Sequence, residues 1–484
     1  MSNVLGHLEP KRVFEYFEAM NQIPRGSYNE AAVSNWLKEC GEKLGLETIQ
    51  DKVGNIIIKK PASEGYEDCP AVILQGHMDM VCVKGKGSNH DFTKDPIEMK
   101  IVDDMIYANN TTLGADDGIA IAMSLAILED DNLKHPALEA VFTINEESGM
   151  DGAYALDTTL LTGKYLLNID SEEEGFFTIG CAGGRTPLLT LDKEYKDACS
   201  CKKALKVVVT DLLGGHSGQE IQLQRANATK VVVRMLNALS CEYDLADLTG
   251  GTMHNAIPNH AEAVIMVEDV EAAKAELNET FDAIRREFSV SEPNMKVLFE
   301  DACVEKVYSD CFKERFLTLL TVLPHGVNSY TVREDGSLDT SLPESSTNMA
   351  AVHNDGDQVK LTFSIRSARE SIKEEIAKRV ELLTKALGFK YEVIAGYPAW
   401  EVIPNSRIEQ ICSAAYEKVS GKKPEIIAIH AGLECGLLLD KMDGVEAISI
   451  GPDMYDVHSE NEHLNIPSTE RTYKLLIDIL ESMK

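Results

Sequence analysis

Apolar residues recur three and four positions apart over residues 10–23 and 28–44, which predicts two amphipathic helices at the start of the chain. Strand-like runs follow at 47–59 and in AVILQGHMDMV, residues 71–81. In the second run, β-favouring residues lead into Gly76, and the alternation of strand side chains puts His77 and Asp79 on one face at its end. Residues 114–118 read as a turn opening a helix at 119–128, with Asp116 and Asp117 near its positive end. A strand at 138–144 ends in Asn145, Glu146 and Glu147, and another at 165–169 ends in Asp170, followed by an acidic run, 172–174, expected to face solvent. Strands that alternate with helices and carry carboxylates at their C-terminal ends predict an α/β sheet with a site along one edge.

The texture changes near Pro187. Strands at 204–210, 262–267 and 295–299 alternate with helices at 226–239 and 270–288. A second round follows: helix 311–323, strand 358–365, helix 371–387 and strand 391–395. After Pro398 the first pattern resumes with helix 408–419, strand 425–430, helix 434–439, strand 445–450, the loop DMYDVHSENEHLNIPS and a final helix. The prediction is one α/β domain with a mixed central sheet flanked by helices, residues 1–187 and 398–484, interrupted by an inserted α+β domain, 188–397.

Composition narrows the function classes. Among 484 residues, 47 Lys and Arg face 79 Asp and Glu, a net charge of −32. Such a field repels phosphate backbones and argues against nucleic acid as a partner, while it favours cations. The opening residues mix charges with apolar positions, so neither a signal peptide nor a membrane anchor is expected. The 11 cysteines are odd in number and scattered, the pattern of a reduced, intracellular chain. Cys199 and Cys201 form one close pair, but no second pair or nearby His completes a structural zinc site.

The chemistry-bearing residues are His77, Asp79, Asp116, Glu146, Glu147, Asp170 and His458. Singly, each has a bland reading: His77 and Asp79 as a hydrogen-bonded strand-end pair, Asp116 and Asp117 as helix caps, Glu146 and Glu147 as surface acids. Together they offer the imidazole and carboxylate mixture suited to zinc, or to manganese or cobalt. Two metals about 3.5 to 4 Å apart share a carboxylate and leave room for a water. These residues suffice for two metals, a base and an orienting group.

In order and spacing, the motifs LQGHMDMV, TTLGADDGIAIA, TINEESGMDGA, LLNIDSEE and GPDMYDVHSENEHLNI resemble those of the two-zinc metallopeptidases that include aminoacylases, carboxypeptidases and dipeptidases. Among these, the likeness is to the aminoacyl-histidine dipeptidases, carnosinase-like enzymes of the cytosol. The resemblance implies that His77, Asp116 and Asp170 hold one metal and that Asp116, Glu147 and His458 hold the other, with Asp116 as the bridge. It implies that Glu146 is the general base and that Asp79 orients His77. The Asp at position 170, rather than Glu, favours enzymes acting near a free amino group.

The resemblance makes the insertion a lid that caps the substrate and forms a homodimer. His216 in GGHSG would help stabilise the oxyanion, and Asn255 and Arg366 would grip the substrate, Arg366 through its forked donors. Gly432 in HAGLECG would allow close approach, with Glu434 near the amine, while His463 stays a loop residue. Whether His216 acts within its own chain or across a dimer is left open. The implied function is metal-dependent hydrolysis of unblocked dipeptides, of Xaa-His type and broad in preference. A tripeptidase or N-acyl-amino-acid deacylase is the alternative on the same scaffold, and a non-catalytic metal-binding protein is a further one.

Overall fold

The computed structural model describes residues 4–333 and 335–484. They divide into two compact units, one of residues 4–180, 402–428 and 433–484 and the other of the described residues within 181–401 and of 429–432. The sequence reading sets the crossings at 187/188 and 397/398. Strand Gly183–Asp192 pairs along its length with Gln358–Ser367 and Lys390–Tyr397, so it belongs entirely to the second unit.

The first unit is built on an eight-stranded mixed sheet in the order Glu47–Gln50, Ile56–Lys60, Leu138–Thr143, Val72–His77, Tyr165–Asn168, Glu446–Ser449, Phe176–Cys181, Glu425–Ile429. What reads as one strand over 47–59 is an antiparallel hairpin. Its turn is closed by Asp51, whose Oδ1 accepts the backbone N–H groups of Val53, Gly54 and Asn55. At the sheet's centre Val72–His77 runs parallel to both Leu138–Thr143 and Tyr165–Asn168, with all six of its residues buried. Helix Ala115–Glu129 is buried from Ala115 to Leu128, as its apolar residues on every side require. Its first turn is not helical at Asp116 and Asp117, and the peptide between them is cis. Helix Lys11–Met20 adds Val13, Phe14, Phe17 and Met20 to the same core.

The second unit has an antiparallel sheet led by Lys296–Asp301, Lys203–Thr210, Ala261–Val267, Asp244–Gly250 and the long strand Leu338–Asp355. It continues through Gln358–Ser367, Gly183–Asp192 and Lys390–Tyr397, and Gly326–Val332 pairs with the long strand. Helices Ala228–Asn237, Val270–Glu287, Asp310–Val322 and Glu370–Ala386 contribute to its own core.

One expectation needs correction. Cys199 and Cys201 are joined in a disulfide rather than reduced. Two residues apart on an exposed connector, their Cα atoms are 5.3 Å from each other, within bridging distance. Among the described residues no helix is long and apolar enough to cross a membrane.

Candidate metal centre and substrate residues

Parallel pairing aligns the C-terminal ends of the three central strands, with His77 opposite Thr143 and Gln75 opposite Asn168. The chain continues from these ends into Glu146, Glu147 and Asp170, while the turn before the buried helix supplies Asp116 and the loop after Met454–Tyr455 supplies His458. Residues far apart in sequence therefore meet at one edge of the sheet.

Asp116 lies at the centre of the group. His77 Nε2 is 3.0 Å from its Oδ1, and His458 Nε2 is 3.1 Å from its Oδ2. His77 Nε2 is also 3.6 Å from Asp170 Oδ1, and His458 Nε2 is 3.0 Å from Glu147 Oε2. Two sets that could each hold a metal ion emerge, His77 with Asp116 and Asp170, and Asp116 with Glu147 and His458, the ligand atoms of each lying within 4.8 Å of one another. A third overlapping set joins His77, Glu146 and Glu147. Imidazole nitrogens and carboxylate oxygens at such separations suit zinc, manganese or cobalt, so the residues present fit a two-ion centre.

Burial governs the electrostatics. It alone would lower the His77 imidazolium, but hydrogen bonds to Asp116, Asp170 and Asp79 outweigh it and raise the group well above its ordinary value. His458 is raised to about 11 by Asp116 and Glu147. Asp116 is lowered despite its burial, because both histidines bond to it. Burial raises Asp170 to about 6 and lifts Glu146 well above the carboxylate range.

Asp79 is fully buried, and its Oδ1 lies 3.3 Å from His77 Nδ1. The same carboxylate accepts the backbone N–H groups of Glu146 and Glu147 and the hydroxyl of Ser27. Glu434 is also fully buried, accepting from Gln75 Nε2 at 2.5 Å and from Thr143 Oγ1 at 2.7 Å. Burial pushes its carboxyl up to about 7. His463 stacks between Tyr107 and Tyr455 and its Nδ1 faces Asn461 O.

The second unit gathers a separate polar group. His216 Nδ1 accepts the backbone N–H of Gln219, which leaves the proton of the neutral ring on Nε2. Burial and the Arg366 charge lower its pKa and favour that neutral form. Arg366 Nη1 donates to the Tyr397 hydroxyl at 2.6 Å. Gly432 sits against the Tyr397 ring, where a Cβ would come within 2.5 Å of Cε2. The Asn255 backbone carbonyl accepts from Ser217 N–H at 2.7 Å, joining its loop to the His216 turn.

Sequence reasoning missed several residues. Arg25 is buried and donates to the carbonyls of Met78, Asp79 and Gly114. Asp117, buried by the same turn, accepts the His77 backbone N–H, and Glu462 accepts from the turn itself. In the second unit Ser346 bonds His430 at 2.7 Å, and Asn348 donates to Ala256 O. The one sequence signal was adjacency, with Asp117 beside Asp116 and Glu462 in the His458 loop.

Comparisons with known proteins bear on the family and the fold. The model of peptidase family M20/M25/M40 matches residues 73–482. Cytosol non-specific dipeptidase of Escherichia coli (strain K12) is 36% identical over 486 residues, 99% of either chain. The crystal structure of aminoacylhistidine dipeptidase from Vibrio alginolyticus matches with a TM-score of 0.90 at 31% identity, over 99% of this chain and 98% of that one. Aminopeptidase PepT from Bacillus cereus ATCC 10987 shares the fold, with a TM-score of 0.51 at 17% identity over 99% of this chain and 100% of its own. On the extent of the family match and of the full-length relative, the chain belongs to peptidase family M20/M25/M40.

Proposed function

We propose that this peptidase is a metal-dependent dipeptidase of the cytosol, acting on unblocked dipeptides, Xaa-His among them, with broad preference. Full-length similarity to two proteins named as dipeptidases supports the substrate class. The observation that carries the metal reading is Asp116, whose two oxygens each face a histidine Nε2 at 3.0 and 3.1 Å. In this reading His77, Asp116 and Asp170 hold one divalent ion and Asp116, Glu147 and His458 the other. Zinc is favoured, with manganese or cobalt as alternatives. When bound, such ions polarise the scissile carbonyl and make hydroxide available near neutral pH.

Glu146 takes the proton of the attacking water as its oxygen bonds to the carbonyl carbon, then gives it to the leaving nitrogen as the C–N bond breaks. Asp79 orients His77 from behind. His216 donates from Nε2 to the developing oxyanion, and Asn255 and Arg366 grip the substrate, Arg366 at its terminal carboxylate. Gly432 leaves space beside it, and Glu434 faces the amine. The inserted unit is the lid and the dimer interface in this reading, excluding water and longer peptides.

The test is hydrolysis of alanyl-histidine and β-alanyl-histidine by zinc-loaded enzyme, set against tripeptides and acetylated amino acids. Dipeptides are expected to lead by at least about tenfold in kcat/KM, a discrimination of ~1.4 kcal/mol. Faster cleavage of tripeptides or acetylated amino acids would overturn the substrate class.

A further inference from the structure

The loop that carries His458 also carries Glu462, whose buried side chain bonds the backbone of the turn before Asp116. Its Oε2 accepts the backbone N–H groups of Leu113 at 2.7 Å and Gly114 at 3.0 Å, and its Oε1 accepts that of Ala115 at 2.7 Å. The N–H of Asp116 lies at the limit of the same oxygen, 3.5 Å away. One carboxylate thus occupies a concave run of backbone donors, the kind of nest that binds anions. Gly114 shapes it with a left-handed φ of 71°. A Cβ there would collide with the Arg25 guanidinium, which donates to the Gly114 carbonyl from the other side.

The turn presenting Asp116 is therefore clasped twice, by Glu462 through its N–H groups and by Arg25 through its carbonyl. Arg25 also donates to the carbonyls of Met78 at 3.1 Å and Asp79 at 3.0 Å, next to His77. Three separate segments bearing His77, Asp116 and His458 are tied by two buried groups of opposite charge. An ionised carboxylate is costly in the interior, and here the backbone donors and the nearby Arg25 charge offset part of that cost.

We infer that Glu462 is a positioning residue that fixes the Asp116 turn to the His458 loop and so assembles the Asp116, Glu147 and His458 set before any metal arrives. This inference rests on the two-metal reading above. Glu462 secures both Asp116 and His458 of that set, but only Asp116 of the set with His77 and Asp170. Its loss should therefore weaken one ion's binding more than the other's.

The experiment uses the full chain and zinc alone, titrated against a competing chelator. Glu462→Gln keeps the shape but turns one acceptor into a donor facing backbone donors. We expect one zinc to bind about 10- to 100-fold more weakly, the other to change less, and kcat to recover at saturating zinc. Unchanged affinities, or an equal loss at both steps, would overturn the assignment. If the variant does not fold, hydrogen exchange of the metal-free wild-type chain decides. The amides of Leu113, Gly114 and Ala115 should be protected without zinc, and protection that appears only on zinc addition would overturn pre-assembly. Failure to cleave dipeptides would sink the substrate class and leave both readouts intact.

Discussion

Asp79 Oδ1 lies 3.3 Å from His77 Nδ1 and, on its other side, accepts the backbone N–H of Glu146 at 3.0 Å. A single buried carboxylate thus lies between the ring of a candidate ligand and the start of the segment bearing the candidate base. Asp79→Ala should reduce the affinity for divalent ions by about 10- to 100-fold, the range found when such supporting partners are removed. Chelator competition with zinc measures it, and unchanged retention would exclude the orienting role.

Glu146 and Glu147 adjoin in sequence but differ in their surroundings. Glu147 meets His458 at 3.0 Å, whereas Glu146 is raised by burial and by the charges of Asp170, Glu434 and Glu147. Glu146→Ala should keep both ions and lose about 10²- to 10⁴-fold in kcat, the contribution typical of a positioned proton acceptor. Metal content and dipeptide turnover, measured on the same sample, provide the check. Near-normal turnover would remove Glu146 from proton transfer.

A pH dependence follows from the second unit. Burial and the Arg366 charge push the His430 imidazolium down from 6.5 to about 3. The folded state therefore keeps this ring neutral where the unfolded chain binds a proton. The stability it contributes is full above pH 6.5 and is lost as pH falls toward about 3. By pH 4 the loss approaches ~3 kcal/mol, at 1.36 kcal/mol per unit. Thermal unfolding between pH 7 and pH 4 should fall less steeply in His430→Gln than in the wild type. Parallel slopes would contradict it.

The parts of this architecture differ in how plainly the sequence carries them. His77, Glu146, Glu147 and Asp170 are readable because apolar strands terminate just before them, and a two-residue period says which side chains share a face. The buried helix after Asp116 is readable from an apolar run interrupted between Ile119 and Leu128 by Ser124 alone. The long strand Leu338–Asp355 is not, because Pro343 and the polar run Ser345–Asn348 mask its period even though those four polar residues are buried. Glu462 and Arg25 escape for another reason. Their partners are backbone groups, which leave no residue-type signature, and Glu462 meets Leu113 across 349 positions of sequence. A Cys-x-Cys pair is likewise ambiguous until the chain's path brings the two sulfurs together.

Of the two sets assigned to ions here, His77 with Asp116 and Asp170 and Asp116 with Glu147 and His458, Asp116 belongs to both, so its removal should differ in kind from that of a ligand in one set. Asp116→Ala takes away the carboxylate facing both histidines, at 3.0 and 3.1 Å, and leaves neither set with three protein ligands. Asp170→Ala disrupts the His77 set and leaves Asp116, Glu147 and His458 intact. Zinc content after dialysis should therefore fall from about two ions per chain to about one in Asp170→Ala, and to near zero in Asp116→Ala, as a shared carboxylate requires. Mass spectrometry of the native proteins counts the ions directly. Equal stoichiometry in the two variants would mean that Asp116 serves a single ion, and the bridge would have to be sought among the remaining carboxylates.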